Sequence, residues 1–390
     1  MNADLSSVRV LHGRHGVWVD DGIQAVLVSE ADIDPASAGL LEALAVQGMP
    51  AGNADVYAVT VVTTTRCNLT CDYCFQAEAS SQGVTRIPQE TLTVGRVEDV
   101  TRFVAQQMAQ HGKSSVDLLI TGGEPLLSYS RCCDLLAGFG SLGLSGAQMF
   151  TNGALLSCAR AQELHELGLS SVQVSLDGHR AEHDRYRRDA AGRGSYDEIL
   201  ANLQEAVRVA PGLDIVVRIN VSASNAVSIN DLVDELEHRL GPAALELRFG
   251  LLDDIGVGFE NAPNRTDATM AILTEAMLDA VDRGFFVAPL AAVAGCMYCS
   301  IPGGGSGCVI NADGTLYSCW ESVGRSGYAV GTVDDGYVDA SAMAGRWVDC
   351  SFNVVSQGSS VEWLHAANDR IDAQVLDRMY ERSIAVKAGA

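Results

Sequence analysis

The run RCNLTCDYCF holds three cysteines, Cys67, Cys71 and Cys74, separated by three and then two residues. Thiolates so spaced on a tight loop can each bind one iron of a four-iron cluster, which leaves the fourth iron without a protein ligand. An open iron is a catalytic device, because another molecule can coordinate there. A structural zinc site normally closes itself with four ligands. No other Cys or His lies between His15 and His111, so the zinc reading lacks its fourth ligand. With eleven cysteines in all, and no basic flank and apolar run of a secretory signal at the start, metal ligands and buried thiols are expected rather than disulfides.

Such a loop needs a scaffold, and the chain supplies a regular one from Tyr57 onward. Six short β-branched runs, YAVTVVTTT, VDLLIT, AQMFT, SVQVSL, DIVVRINV and LELRFGL, alternate with helical patterns near 88–111, 130–143, 157–168, 195–209, 229–240 and 267–284. Successive βα units predict a parallel sheet covered by helices. Ligands of such sheets sit at the C-terminal ends of the strands. The cysteine loop follows the first strand, Gly122, Gly123 and Glu124 follow the second, Asn152 and Gly153 the third, and Asp177 the fourth. Arg218 and Asn220 interrupt an otherwise apolar fifth strand and are expected to face the interior; the plainer alternative is a satisfied core hydrogen bond.

The C-x3-C-x2-C spacing, with Tyr73 before the third cysteine and a βα array around it, resembles the radical S-adenosylmethionine (AdoMet) superfamily. That resemblance implies an α/β fold, a partial (β/α)6 TIM barrel over 56–288. It also implies a [4Fe-4S] cluster that chelates AdoMet and cleaves it to a 5′-deoxyadenosyl radical. TGGEP matches the family's GGEP loop, where glycine admits the ligand and the Glu124 carboxylate would receive the AdoMet ammonium. SLDGHRAEHDRYR resembles a peptide-modifying subfamily, in which Ser175 would touch the AdoMet ribose or carboxylate and Arg187 would pair with its carboxylate. The plainer alternative for Asp177 and Arg187 is a structural ion pair beside a turn.

Flanking this barrel, residues 1–55 predict a small β-plus-helix appendage, with Asp34 capping a helix that opens on Pro35, and a possible peptide-binding edge. Residues 289–390, ending in a helix near 361–382, resemble a degenerate SPASM/twitch domain that holds one auxiliary [4Fe-4S] cluster. Its candidate ligands are Cys296, Cys299, Cys308, Cys319 and Cys350; the spacing leaves open which of them stays out, and a zinc site is the alternative. Glu321 is a candidate general base near substrate. Cys132, Cys133 and Cys158 read as small buried hydrophobes in helices.

The net charge of −23 opposes a nucleic-acid backbone as partner, and no apolar run is long enough to span a membrane, so a cytoplasmic location is expected. The resemblance implies a maturase that installs a thioether, carbon–carbon or cyclophane cross-link in a ribosomally made precursor peptide, with a flavodoxin or ferredoxin as electron donor. A radical dehydrogenase of a protein residue or small alcohol, a peptide epimerase, and a non-catalytic metal-binding module are the alternatives.

Overall fold

The computed structural model describes residues 9–20, 25–28, 55–80, 83–252, 266–290, 303–325, 327–347 and 361–382. The expected helix at Asp34 and Pro35, and Cys296, Cys299 and Cys350, lie outside the described residues.

In chain order the strands are β1 (Arg9–His12), β2 (Val17–Asp20), β3 (Ala25–Val28), β4 (Val56–Val62), β5 (Ala77–Ser80), β6 (Gly83–Arg86), β7 (Ser115–Thr121), β8 (Leu144–Thr151), β9 (Ser171–Leu176), β10 (Asp214–Val221), β11 (Leu245–Leu251), β12 (Phe286–Val287), β13 (Gly307–Ile310), β14 (Thr315–Tyr317), β15 (Gly331–Thr332) and β16 (Gly336–Tyr337). The helices are α1 (Val94–Gln110), α2 (Tyr129–Gly140), α3 (Cys158–Glu166), α4 (Arg180–Tyr186), α5 (Tyr196–Val209), α6 (Ile229–Leu240), α7 (Asp267–Asp282), α8 (Ala340–Met343) and α9 (Val361–Glu381).

The helical patterns expected within the described residues all carry helices. The first begins at Val94 rather than near residue 88, because threonines compete for the preceding backbone. Thr65 Oγ1 donates to Pro88 O at 2.7 Å, Thr64 Oγ1 donates to Glu90 O at 2.8 Å, and Leu92 N donates to Thr63 O at 2.8 Å. Residues 88–92 therefore run beside the extension of β4, and the helix starts only where Thr93 accepts from Arg96 N as its cap.

The central sheet runs β12-β11-β10-β9-β8-β7-β4-β13-β14-β15-β16 and is parallel from β12 through β13. One face is apolar and packed under the helices: Val172, Val174 and Leu176 of β9 are all fully buried there. On the other face Ser171, Gln173 and Ser175 are half-buried and Gln148 of β8 is exposed, so that face is left open rather than filled.

The C-terminal segment continues the central sheet. Its first described strand, β13, pairs in parallel with β4, Cys308 opposite Val59, and β14–β16 continue the same sheet antiparallel. On the open face Val309, Tyr317 and Val323 pack against Val62.

The N-terminal hairpins form a three-stranded antiparallel sheet, β1-β2-β3, docked on α9. Arg9 is tied to Asp20 at 3.0 Å, Asp369 at 2.8 Å and Asp372 at 2.7 Å, and the buried Trp18 donates from Nε1 to Asp377 at 2.9 Å.

Candidate active site

The loops after β4, β7, β8 and β9 meet at one end of the parallel sheet. Glycine is required in the TGGEP turn for a reason internal to the protein. A Cβ on Gly122 would stand 2.4 Å from Thr64 O, and one on Gly123 would stand 2.4 Å from Arg66 O. Gly123 N and Glu124 N donate to the same carbonyls, at 2.7 and 2.9 Å. The glycines thus lock the turn against the segment leading into the cysteine loop.

Glu124 also has internal partners. Its side chain is wholly buried. Oε1 accepts from Leu126 N at 2.9 Å and from the Thr151 hydroxyl at 2.8 Å, and Oε2 accepts from Asn152 N at 2.8 Å. Burial pushes this carboxyl upward and those hydrogen bonds pull it back. It pins the β7 turn to the end of β8.

Asn152, so placed, donates to Asn68 Oδ1 at 2.8 Å and toward Cys67 Sγ at 3.8 Å. The Cys71 thiol is pushed up to about 12 by burial; the Arg187 charge acts against this, and Cys74 and Cys67 add to it. Only a strong positive charge at the site would make thiolates the stable form.

Beside Cys71 stands a buried polar group built from three segments. Arg187 Nη1 donates to the Tyr73 hydroxyl at 2.7 Å, and that hydroxyl donates to Asp177 Oδ2. Arg187 and Asp177 also form an ion pair at 3.7 Å. Asn220 of β10 donates to Asp177 Oδ1 at 2.9 Å. Arg187 is held from behind by a relay: Asp177 N donates to His183 Nδ1 at 3.3 Å, His183 Nε2 meets Ser195 Oγ at 3.0 Å, and Ser195 Oγ donates to Arg187 O at 2.8 Å. Burial, and then Arg187, hold His183 well below the usual imidazole range. It is therefore neutral, with the proton on Nε2, as the relay requires. Arg187 Nε is buried without a hydrogen-bond partner.

Ser175 lies on the open face, in register with Arg218. Cys319 stands just before a 3-10 turn, Trp320–Ser322, that carries the half-buried Glu321. The Trp320 ring meets Phe150 of β8 edge-on at 6.4 Å, and Arg325 donates to Phe75 O at 3.1 Å, so this segment borders the cysteine loop. Cys308 does not belong with it. Its side chain is 1% exposed in the helix-covered core, and burial pushes its thiol up to about 12. Neighbouring Val309 faces the other side of the sheet with Tyr317, so Cys308 is a core residue and is corrected as a cluster ligand. Cys158 opens α3 and is exposed, against expectation. Among the described residues no group of three or more His, Cys, Asp and Glu side chains is arranged to hold a single metal ion, and no described helix is long and apolar enough to cross a membrane.

Sequence reasoning missed the positioning roles of Asn152, Asn225 and the His183–Ser195 relay. Asn225 donates to Asp177 O at 3.1 Å and to Asn220 O at 2.7 Å. The polar residues just beyond each strand were the available signal.

Residues 61–222 match the sequence model of the Radical SAM superfamily. A GTP 3′,8-cyclase of Staphylococcus epidermidis is 28% identical over 236 residues, covering 59% of this chain and 63% of that enzyme. The sporulation killing factor maturation protein SkfB of Bacillus subtilis is 28% identical over 193 residues, 47% of this chain and 41% of that one. The chain thus spans less than two thirds of the length of these curated relatives. Among solved structures, anSMEcpe with bound AdoMet superposes with a TM-score of 0.58 at 14% identity, covering 85% of this chain and 99% of that one. Its complex with AdoMet and the Kp18Cys peptide gives 0.56 at 15% identity. These superpositions show a shared fold.

The superfamily implies a four-iron cluster with AdoMet, and the residues here suit both. Three thiols stand on one loop for the cluster irons. The buried guanidinium of Arg187, one nitrogen unpaired, is a donor set for a carboxylate.

Proposed function

We propose that this chain is a radical AdoMet maturase that cross-links a ribosomally made precursor peptide. The observation that carries the radical chemistry is Arg187, buried beside Cys71 and Tyr73 with its Nε unpaired. When bound, the cluster at Cys67, Cys71 and Cys74 and its AdoMet supply a 5′-deoxyadenosyl radical that takes a hydrogen atom from the substrate. Arg187 holds the AdoMet carboxylate, Tyr73 and Asp177 fix the guanidinium, and Ser175 borders the ribose.

The maturation role named for SkfB and the peptide bound by anSMEcpe support a peptide substrate. One auxiliary [4Fe-4S] cluster forms on Cys296, Cys299, Cys319 and Cys350, the set that remains once Cys308 is assigned to the core. Glu321, in the turn after Cys319, is the proposed base. A flavodoxin or ferredoxin supplies electrons, and the location is cytoplasmic.

The GTP 3′,8-cyclase likeness, which extends over the longer stretch, favours a second reading with a nucleotide substrate. The net charge of −23 weighs against a polyphosphate. Incubating the reduced, reconstituted protein and AdoMet with the short peptide encoded beside its gene, and separately with GTP, decides between them. A changed peptide mass with 5′-deoxyadenosine release is expected. Conversion of GTP with the peptide unchanged would sink the peptide reading.

A further inference from the structure

The open face of the sheet carries a second guanidinium, Arg218, that no carboxylate among the described residues holds. Across β9, β10 and β11, Ser175, Arg218 and Arg248 stand in one row. Two residues nearer the C-terminal ends, Asn220 pairs with Gly250. A Cβ on Gly250 would fall 1.9 Å from Arg218 Nη2, so the guanidinium lies over this glycine and toward the cysteine-loop end of the sheet. The absence of a side chain there makes its room.

The bonds Arg218 makes are to neutral acceptors: Nε donates to Asn220 Oδ1 at 3.2 Å and Nη1 to Phe249 O at 3.3 Å. Its neighbour in the row is another cation, Arg248, which Glu246 already pairs. Burial, then Arg248, push the Arg218 guanidinium down, yet an arginine does not deprotonate in a protein. Asp177, whose charge acts on Arg218 in the opposite direction, is engaged by Tyr73, Asn220 and Arg187. A half-buried cation beside a second cation, with its carboxylate partner missing among the described residues, is stable when an anion arrives from outside.

We propose that Arg218, backed by Arg248, is the subsite for a carboxylate of the substrate. The uncompensated charge is a single one, since Glu246 neutralises Arg248, which suits a carboxylate rather than a polyphosphate. This inference deepens the peptide reading and rests on it: the carboxylate is an acidic side chain or the chain terminus of the peptide, held close to the cluster loop.

The test is equilibrium binding to the reconstituted, unreduced protein saturated with AdoMet. The probes are acetyl-Ala-Glu-Ala amide, acetyl-Ala-Gln-Ala amide and acetyl-Ala-Gln-Ala with a free C-terminus. Wild type is expected to bind one or both acids about tenfold or more tightly than the neutral amide. The acid preferred identifies the source of the carboxylate. Arg218→Gln is expected to erase the preference and Arg218→Lys, which keeps the charge without the fork, to retain part of it; circular dichroism and thermal unfolding verify that each is folded.

Equal binding of acids and amide by wild type overturns the inference, as does a preference that survives in folded Arg218→Gln or that appears only without AdoMet. Those outcomes leave the peptide reading standing, because peptide modification is read separately by mass. Arg218-dependent binding of GTP in place of the acids overturns both.

Discussion

Arg187 donates to the Tyr73 hydroxyl over 2.7 Å, so the residue that ends α4 is tied to the middle of the cysteine loop. The same guanidinium faces Asp177 at 3.7 Å in a site where both side chains are almost inaccessible. Breaking a buried pair on one side leaves the other charge uncompensated, at a cost of about 3–5 kcal/mol. We expect Arg187→Met to lower the thermal midpoint and abolish AdoMet binding. Arg187→Lys should fold better yet bind AdoMet at least tenfold more weakly, because an ammonium lacks the planar fork. Calorimetry with and without AdoMet separates the two effects.

Glu124 is expected to act on stability before it acts on AdoMet. Glu124→Ala strands the Leu126 and Asn152 amides and the Thr151 hydroxyl, a loss on the order of 3 kcal/mol. The loss should appear in urea unfolding of the AdoMet-free protein. Unchanged stability with weakened AdoMet binding would return the carboxylate to a ligand role.

Iron content distinguishes the cysteines. Reconstituted protein should hold about eight irons, from two four-iron clusters. Cys71→Ala should abolish 5′-deoxyadenosine formation. Cys319→Ala should spare AdoMet cleavage and lose product. Cys308→Ala should keep all the iron and lose about 1 kcal/mol of stability, as a trimmed core residue does. Loss of iron in folded Cys308→Ala would return that thiol to the cluster.

Asp372 gives the docking of β1 on α9 a pH dependence. Arg9 alone would lower this carboxyl, but complete burial outweighs it and raises Asp372 to about 6. A carboxyl raised in the folded state binds its proton more tightly there than in the unfolded chain. Its contribution to stability is therefore fully present below the unfolded value and is lost as pH rises through the folded one. Between about pH 4 and about pH 6 that loss amounts to about 3 kcal/mol. Asp372→Asn should flatten this part of the profile of thermal midpoint against pH. An identical profile in the variant would assign the slope to other groups.

Local pattern was enough to find the cysteine loop, the alternation of strands and helices, and the interior placing of Arg218 and Asn220. Each follows from spacing or period within a few residues. The start of α1 escaped because Thr64 and Thr65, just beyond β4, outcompete the helix for the carbonyls of residues 88 and 90.

Tertiary structure alone decided which side chains are spent and which are left over. Glu124 and Cys308 both look like ligands in sequence; the fold gives the first three internal donors and turns the second into the helix-covered core. The parallel pairing of β13 with β4 was equally hidden, because register between distant strands depends on which faces can be buried together. Arg187 and Arg218 carry the same charge; only the fold gives Arg187 the carboxylate of Asp177 and leaves Arg218 with Asn220 and a backbone carbonyl.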